Sequence, residues 1–246
     1  MKIFVINLAR RPDRLDQISQ DLQNHGLTFE RVDAIDAKSD PVMKKFRRPF
    51  FKLLLGKRTY GDGPLANYLS FRKIWQKMVD ENIEQALILE DDAKIVNWDK
   101  RFLELDITQL GLDILRLGAR NNPTTLNNLT NVQPAITIEG RKLVTGELWG
   151  NFATIFTLSA AKKYLHHKKY WFPSDDYVRF EKYFNISFAI INPLIWSNTG
   201  SASDVDLIKK KHNLAQVLSL KIIKPLRRWL FFPPIHTYLR FKTSLR

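Results

Sequence analysis

The chain has 246 residues, 44% of them hydrophobic and 12% aromatic, so it can build a core and is not globally disordered. It contains no cysteine, which excludes disulfides and thiolate metal sites and fits a reducing compartment. The net charge of +14 attracts an anionic partner, which could be nucleic acid, anionic lipid or a phosphorylated substrate.

The start of the sequence predicts a strand, a helix and a second strand. Residues 2–8 have the pattern of a buried strand, and Pro12 suits the first position of a helix that ends at Gly26. Residues 28–32 form the next expected strand. Strand, helix and strand in this order predict a parallel sheet.

The pattern continues after a basic segment at residues 40–62, which we expect to be irregular. Gly63 and Pro64 open a helix with an apolar stripe, and residues 86–89 form the strand after it. Further strands are expected at residues 113–118, 152–158 and 186–191, with an exposed loop at 121–133. Ser159 is expected to cap a short helix that follows the second of these strands.

Three consecutive acids, Glu90, Asp91 and Asp92, follow the apolar strand at residues 86–89. In an open α/β sheet, ligands bind beyond the carboxyl ends of the strands, so these acids are expected at the rim of a site. Hard divalent cations such as Mg²⁺ or Mn²⁺ prefer oxygen ligands and usually share them with substrate phosphates. The triplet therefore predicts a metal held against a diphosphate, with a solvated acidic turn as the alternative.

A second acidic pair, Asp175 and Asp176, follows Pro173 and Ser174. Two separate carboxylate clusters allow a division of labour, in which one holds a metal and the other accepts a proton from an attacking hydroxyl. Spacing alone equally allows Asp175 to cap a helix after a proline turn.

Other catalytic and nucleotide-binding patterns are absent from the sequence. There is no serine in a Gly-x-Ser-x-Gly elbow and no His-Glu-x-x-His motif. Neither a Gly-x-Gly-x-x-Gly nor a Walker loop is present. A bound nucleotide would therefore need a metal to neutralise its diphosphate.

Several motifs occur together along the chain. They are the run Val-Ile-Asn-Leu-Ala-Arg-Arg-Pro-Asp-Arg at residues 5–14, residues 29–36, Leu69-Ser70-Phe71 with Trp75, residues 86–92, Trp149-Gly150, and Pro173-Ser174-Asp175. With these motifs the sequence resembles the bacterial glycosyltransferases of family 25, the lipooligosaccharide galactosyltransferase type, over nearly its whole length. The strand and acidic triplet at 86–92 are the most specific part of the resemblance.

The resemblance implies an α/β fold of the GT-A type, with a mostly parallel central sheet, and inversion of the anomeric centre. It also implies that Glu90 and Asp92 bind the metal (Mn²⁺ or Mg²⁺) and the donor, and that Asp175, with Asp176 beside it, supplies the general base. The residues expected to bind the nucleotide sugar are Asn7, Leu8, Arg14, Asp33, Ala34, Asp36, Ser70, Glu90 and Asp91.

The sequence departs from the family pattern in three places. Phe71 stands where the family has histidine, and Gly-Asn-Phe-Ala-Thr at residues 150–154 replaces the family's Gly-Thr-Ala-Gly-Tyr. The acidic pair stands where some members have one aspartate. The first two departures concern sugar specificity, so galactose is favoured and glucose stays open.

The positive charge is concentrated in two segments. Residues 207–246 carry ten Lys/Arg and no acid, residues 41–60 carry seven and no acid, and the remaining residues have a net charge of −3. The first segment also contains Trp229, Phe231 and Phe232, a composition that suits the headgroup region of an anionic membrane. The alternatives are a packed C-terminal helix and an arm for nucleic acid.

We therefore divide the chain into a GT-A transferase domain at residues 1–206 and a basic, membrane-associating extension at 207–246. The opening residues lack the apolar length of a signal peptide, and no run approaches the roughly 20 apolar residues that span a bilayer. We expect a cytoplasmic enzyme, peripheral on the inner face of the membrane.

The predicted reaction moves a hexose from a UDP-sugar to a lipooligosaccharide or lipopolysaccharide outer-core acceptor. The expected partners are UDP-hexose, the lipid A-core acceptor and the anionic membrane surface, and not nucleic acid. The alternatives are a basic nucleic-acid-binding protein and a non-catalytic relative that binds glycan.

Overall fold

The computed structural model describes residues 1–47, 61–119, 133–138, 141–145, 150–192 and 194–199. The strands among these residues are β1 (Lys2–Asn7), β2 (Glu30–Asp33), β3 (Gln85–Glu90), β4 (Ala93–Ile95), β5 (Ile114–Arg116), β6 (Gln133–Ile138), β7 (Arg141–Thr145), β8 (Ala153–Thr157), β9 (Phe188–Asn192) and β10 (Trp196–Asn198). The α-helices are α1 (Pro12–Asn24), α2 (Val42–Phe46), α3 (Asp62–Asp80), α4 (Leu158–His166) and α5 (Tyr177–Phe184), with a 3₁₀ helix at Lys100–Leu103. The boundary proposed at residue 206 and the extension after it lie outside the described residues.

The described strands form one large sheet and one antiparallel pair, β4 with β10. The large sheet has eight strands in the order β2-β1-β3-β8-β5-β9-β7-β6. Parallel pairing joins β1 to β2 and β3, and β5 to β9, whereas β8 and β7 are antiparallel to their neighbours. Six of the eight described strands therefore run in one direction. The predicted α/β class with a mostly parallel central sheet is confirmed.

Alternate side chains of the central strands enter two separate hydrophobic clusters. Phe4 and Ile88 belong to the cluster that includes α3, α4 and α5. Val5 and Leu87 belong to the cluster that includes α1, the 3₁₀ helix and the β4–β10 pair. Because strand side chains alternate between the two faces, the sheet is covered on both sides.

The two longest helices form where the sequence predicts them. Pro12 occupies the first turn of α1, where its missing N–H costs no hydrogen bond, and Gly26 follows the helix with a φ of 68°. In α3, the predicted apolar stripe is buried: its members are Leu65, Leu69, Trp75 and Met78. This stripe fixes α3 against the sheet, and α3 in turn carries polar side chains to the candidate site.

Two local predictions are wrong. The cap of α4 is Thr157, whose side chain accepts a hydrogen bond from the Ala160 N–H, and Ser159 instead bonds to Asp113. Within the basic segment expected to be irregular, residues 42–46 form the short helix α2, because Met43 is buried in the core. The expected loop at 121–133 lies outside the described residues except for Gln133, which begins β6.

No helix in the described part of the chain is both long enough and apolar enough to span a bilayer.

Candidate active site

Several strands end at one edge of the sheet. β1, β2, β3 and β5 share one direction, and their last residues are Asn7, Asp33, Glu90 and Arg116. β8 runs in the opposite direction and begins at the same edge with Ala153, two residues after Asn151. The carboxyl edge of an open α/β sheet is where ligands bind in this class of protein.

The acidic triplet crosses the end of β3, and its members lie in different surroundings. Asp91 accepts hydrogen bonds from Asn7 Nδ2 at 2.8 Å and from Arg14 Nη1 at 3.1 Å, and all three side chains are buried. These contacts tie the ends of β1 and β3 to the first turn of α1. Asp92 is 8% exposed, and its charge raises the pKa of Glu90.

Glu90 carries a strongly perturbed carboxyl at this edge. Its Oε1 accepts a hydrogen bond from Asn67 Nδ2 at 2.7 Å. Burial, and then the charge of Asp92, raise the pKa of Glu90 to about 8, and the charge of Asp175 acts in the same direction. Glu90, Asp92 and Asp175 therefore form one electrostatic cluster, although they come from two distant segments of the chain.

The two aspartates of the second pair have different partners. Asp175 Oδ2 accepts a hydrogen bond from the Gly150 N–H at 3.0 Å. Asp176 occupies the N-cap position of α5 without a capping side-chain bond, and its Oδ2 lies 2.7 Å from Arg179 Nη1. Asp175 is therefore not the helix cap, and it is the member of the pair whose charge acts on Glu90.

Asn67 of α3 joins the two acidic segments. Its Nδ2 donates to Glu90, and its Oδ1 accepts a hydrogen bond from the Ser174 hydroxyl. A single amide thus connects the end of β3 with the residue that precedes Asp175. The sequence holds no local signal for this role, because Asn67 and Ser174 are 107 residues apart.

Arg116 is a fully buried cation at the end of β5. Its Nη2 donates a hydrogen bond to the Gly150 carbonyl, and its guanidinium carbon lies 4.9 Å from the centre of the Tyr177 ring. Burial lowers the pKa of Arg116, against the opposing effect of Tyr177, Asp175 and Glu90. Sequence reasoning did not identify Arg116 as a site residue. The signal available was a charged residue within an otherwise apolar strand.

The residues expected to line the nucleotide lie at the ends of β1 and β2. The Ala34 N–H donates to the Asn7 carbonyl at 2.9 Å, and the Leu8 carbonyl accepts from the Arg11 N–H at 2.8 Å. The Asp33 side chain is exposed and lies 2.7 Å from Arg31. The bond between Ala34 and Asn7 holds the two strand ends side by side.

The loop after β2 is fixed by two further contacts. Ser70 is buried, and its Oγ accepts a hydrogen bond from the Ile35 N–H at 2.8 Å. Asp36 accepts from the Lys38 N–H and from Arg10 Nε, each at 2.9 Å, and these contacts lower the pKa of Asp36. The structure thus places Ser70 behind the loop, where it supports the chain between β2 and Asp36.

Two positions that depart from the family pattern have different roles. Phe71 is fully buried in the core, with its ring centre 6.0 Å from those of Trp75 and Phe156. Asn151 is 2% exposed and lies at the candidate site, where its Oδ1 accepts hydrogen bonds from Thr154 and Tyr177. Of these two positions, Asn151 is the one that belongs to the site.

The donor set at this edge suits a divalent cation in its chemistry. Glu90 and Asp92 offer carboxylate oxygens, and a cation between them would offset the repulsion that raises the pKa of Glu90. Among the described residues, no group of three or more His, Cys, Asp or Glu side chains is arranged to hold a metal. A metal on Glu90 and Asp92 would therefore need phosphate or water oxygens to complete its coordination.

Sequence comparison identifies relatives of this chain. The family model described as "Glycosyltransferase family 25 (LPS biosynthesis protein)" matches residues 1–178. Procollagen galactosyltransferase 2 of Mus musculus is 26% identical over 134 residues, which cover 48% of this chain and 21% of that protein. A glycosyltransferase 25 family member of Aedes aegypti is 29% identical over 196 residues, 76% of this chain and 30% of the relative.

Another relative is named as inactive. The probable inactive glycosyltransferase 25 family member 3 of Bos taurus is 26% identical over 176 residues, which cover 67% of this chain and 28% of that protein. The chain thus spans less than a third of the length of the curated relatives cited here.

Two solved structures share a weaker likeness. A glycosyltransferase involved in glycosylation of the major capsid of PBCV-1 aligns with a TM-score of 0.41 and 9% identity, over 84% of this chain and 96% of that one. A197 from STIV aligns with a TM-score of 0.40 and 13% identity, over 77% and 81% of the two chains. Because the family model covers well over half of its length, the chain belongs to glycosyltransferase family 25.

Proposed function

We propose that the protein is an inverting, metal-dependent hexosyltransferase that uses a UDP-sugar. The observation that carries the proposal is the pair of hydrogen bonds by which Asn67 joins Glu90 to Ser174, the residue before Asp175, at the carboxyl edge of the sheet. Sugar transfer from a nucleotide diphosphate needs a group that offsets the charge of the leaving diphosphate and a base for the acceptor hydroxyl. Two carboxylates at the end of β3 and a third on a separate segment can divide these tasks.

The proposed reaction is a single displacement. The acceptor hydroxyl oxygen attacks the anomeric carbon from the face opposite the diphosphate, and the bond between that carbon and the diphosphate oxygen breaks. Asp175 takes the hydroxyl proton, and the electrons of the broken bond leave with UDP. A metal held by Glu90 and Asp92 would supply positive charge to the diphosphate. Inversion follows from the opposite-face attack.

The nucleotide is proposed to lie along Asn7, Leu8, Asp33 and Ala34. The contact between Ala34 and the Asn7 carbonyl supports this placement, because it keeps both strand ends at one edge. Arg14 and Asp91 would act through Asn7, and Ser70 through the loop that carries Asp36.

Galactose is the favoured sugar, with glucose as the alternative, because procollagen galactosyltransferases occur among the relatives. The family description favours a lipooligosaccharide or lipopolysaccharide acceptor. A glycolipid acceptor is reached at a membrane surface, and the basic, aromatic composition of residues 207–246 supports peripheral attachment to the inner face of the cytoplasmic membrane.

A thermal-shift panel of nucleotide sugars, with and without Mn²⁺, tests the proposal. We expect UDP-galactose or UDP-glucose to raise the melting temperature only with Mn²⁺ present. A ligand that binds only the native state contributes about 2.7 kcal/mol at a hundredfold excess over its Kd. For a chain of this size that corresponds to a rise of roughly 5–10 °C. Product analysis with a lipooligosaccharide acceptor then establishes transfer.

The variant Asp92→Ala tests whether Asp92 binds the metal. It should abolish the Mn²⁺-linked rise and the transfer of sugar while the protein still folds, because Asp92 lies at the rim of the sheet. Asp16→Ala removes an exposed acid from α1 and serves as the matched control. Full Mn²⁺-linked stabilisation and transfer in Asp92→Ala would refute the metal assignment.

Assays of glycan binding, sugar transfer and nucleic-acid binding separate the alternative functions. Because the Bos taurus relative is named as probably inactive, a non-catalytic role is the first alternative to test. A non-catalytic protein would be stabilised by a nucleotide sugar or a glycan but would neither release nor transfer the sugar. A nucleic-acid-binding protein would instead bind RNA or DNA with an affinity that falls steeply with salt and is independent of Mn²⁺.

A further inference from the structure

We propose that Arg116 and Tyr177 are positioning residues that hold the general base Asp175 in place through Gly150 and Asn151. This inference rests on the proposed function, in which Asp175 accepts the acceptor proton. Gly150 and Asn151 belong to the segment that departs from the family pattern, whereas Arg116 and Tyr177 belong to none of the sequence motifs.

The two peptide units that flank Gly150 connect Asp175 with Arg116. The Gly150 N–H donates to Asp175 Oδ2 at 3.0 Å, and the Gly150 carbonyl accepts from Arg116 Nη2. Gly150 adopts a φ of 88°, a left-handed conformation that side chains rarely allow. Arg116 therefore fixes the orientation of the residue that holds the Asp175 carboxylate.

The side chain of Asn151 connects Tyr177 with the segment that precedes β8. The Tyr177 hydroxyl donates to Asn151 Oδ1, and Thr154 Oγ1 donates to the same oxygen at 2.5 Å. Tyr177 begins α5, two residues after Asp175, so this bond ties the segment that carries the base to the start of β8.

Arg116 and Tyr177 also contact each other directly. The Arg116 guanidinium carbon lies 4.9 Å from the centre of the Tyr177 ring, within the range of a cation–π contact. Arg116, Gly150, Asn151, Tyr177 and Asp175 thus form a continuous loop of contacts. Arg116, Asn151 and Tyr177 are all at least 98% buried, so their positions are restricted by packing as well as by these bonds.

A base held in this way transfers protons efficiently only while its carboxylate keeps one orientation. A displacement of about 1 Å at a reacting group can reduce the rate by roughly 10²-fold. Loss of the Tyr177 hydroxyl or of the Arg116 fork would free the segment around Gly150 and Asn151. The expected defect is therefore in kcat, with donor and metal binding preserved.

The experiment compares Tyr177→Phe with Tyr164→Phe in the full chain. Tyr164 is also fully buried, but its hydroxyl makes no hydrogen bond within the described part of the chain. We expect Tyr177→Phe to lower kcat for transfer at least roughly tenfold, with an unchanged Mn²⁺-linked thermal shift by the UDP-sugar. Tyr164→Phe should retain the wild-type kcat. Arg116→Lys, which keeps the charge but loses the planar fork, should lower kcat by roughly 10²-fold.

A double-mutant cycle tests whether Tyr177 affects kcat through Asp175. Residues that act through a common group are strongly non-additive. In the Asp175→Asn background, Tyr177→Phe should therefore change the residual kcat by less than about twofold. An additive loss in this background would overturn the inference, since it would mean that Tyr177 acts independently of the base.

Two further outcomes are decisive. If the wild-type protein transfers sugar and Tyr177→Phe equals Tyr164→Phe in kcat, the positioning role is wrong and the proposed function stands. If the wild-type protein transfers no sugar from any nucleotide sugar, the proposed function fails and the positioning role fails with it.

Discussion

Glu90, Asp91 and Asp92 are adjacent in sequence, yet they contribute to different parts of the molecule. Asp91 is bound by Asn7 and Arg14, whereas Glu90 and Asp92 repel each other at the edge of the sheet. Glu90 is the last residue of β3, and Asp91 and Asp92 form the turn that follows it. Asp91 thus holds the ends of β1 and β3 to α1, whereas Glu90 and Asp92 are the two acids proposed to meet the ligand.

At the same scale, the second acidic pair gives a direct test of the base. Asp175→Asn keeps the size of the side chain and its acceptor oxygen for the Gly150 N–H, but it cannot take a proton. We expect kcat to fall by 10²–10⁴-fold, the usual contribution of general acid–base catalysis, with UDP and Mn²⁺ binding retained. Steady-state transfer rates and thermal shifts measure the two properties separately.

Asp176→Asn is the matched control for this variant. It removes the ion pair with Arg179, which is partly exposed, and should leave kcat within a few-fold of wild type. If Asp176→Asn carries the large loss and Asp175→Asn does not, then Asp176 is the base.

The raised pKa of Glu90 predicts a pH dependence of stability in the metal-free protein. The pKa of this carboxyl is about 8 in the fold, against an ordinary value of 4.5. Between these values the native state keeps a proton that the unfolded chain has lost, so stability falls as pH rises from about 4.5 to about 8. Glu90→Gln removes the charge and should melt higher than wild type at pH 8 in chelator. Each kcal/mol gained is worth roughly 2–4 °C.

The control for Glu90→Gln lies on the same segment of chain. Glu84 is exposed just before β3, and Glu84→Gln should leave the dependence of melting temperature on pH unchanged. Near pH 4.5 the curves of Glu90→Gln and wild type should meet. Parallel curves across the whole pH range would contradict the assignment of the stability cost to Glu90.

At the scale of elements, periodicity in the sequence is enough to predict α1, α3 and the buried strands, because their apolar residues recur at helix or strand spacing. It does not determine where β8 gives way to α4. Thr157 and Ser159 are both residues that cap helices well. The start of α4 is set by sheet pairing, since Thr157 is the last residue of β8 and its N–H bonds to the Asp113 carbonyl at 3.0 Å.

Site residues that form a local sequence pattern could be predicted, whereas those brought together by the sheet could not. Consecutive acids after an apolar run are visible in the sequence, so Glu90 to Asp92 could be singled out. The contact of Arg116 with Gly150 joins residues 34 apart, and that of Tyr177 with Asn151 joins residues 26 apart. Such pairs come together only through the order of strands in the sheet, in which β8 lies between β3 and β5.

At the scale of the whole molecule, the charge distribution separates residues 1–206, with a net charge of +4, from a strongly basic extension. Residues 207–246, outside the described part of the chain, supply ten cations without an acid. Each cation near an anionic membrane contributes about 1 kcal/mol of attraction. A chain ending at residue 206 should therefore lose its binding to anionic liposomes and keep its activity on a small soluble acceptor.

Co-sedimentation with anionic and neutral liposomes, together with a melting curve of the shortened chain, tests this prediction. If the extension is instead a helix packed on the domain, the shortened chain will melt at lower temperature or aggregate. Equal sedimentation of the full-length and shortened proteins would reject docking by the extension.

Under the proposed function, the crowded carboxylates around Glu90 link the amount of this protein in a cell to its supply of donor and metal. The charge repulsion lowers the stability of the empty protein, and a cation that binds together with the nucleotide diphosphate would offset it. Binding of this pair to the native state alone favours that state by mass action. Proteases act on the unfolded fraction, which changes several-fold for each 1–2 kcal/mol of stability. We therefore expect the protein to be degraded faster when nucleotide sugars are scarce, so that its abundance falls together with the substrate it needs.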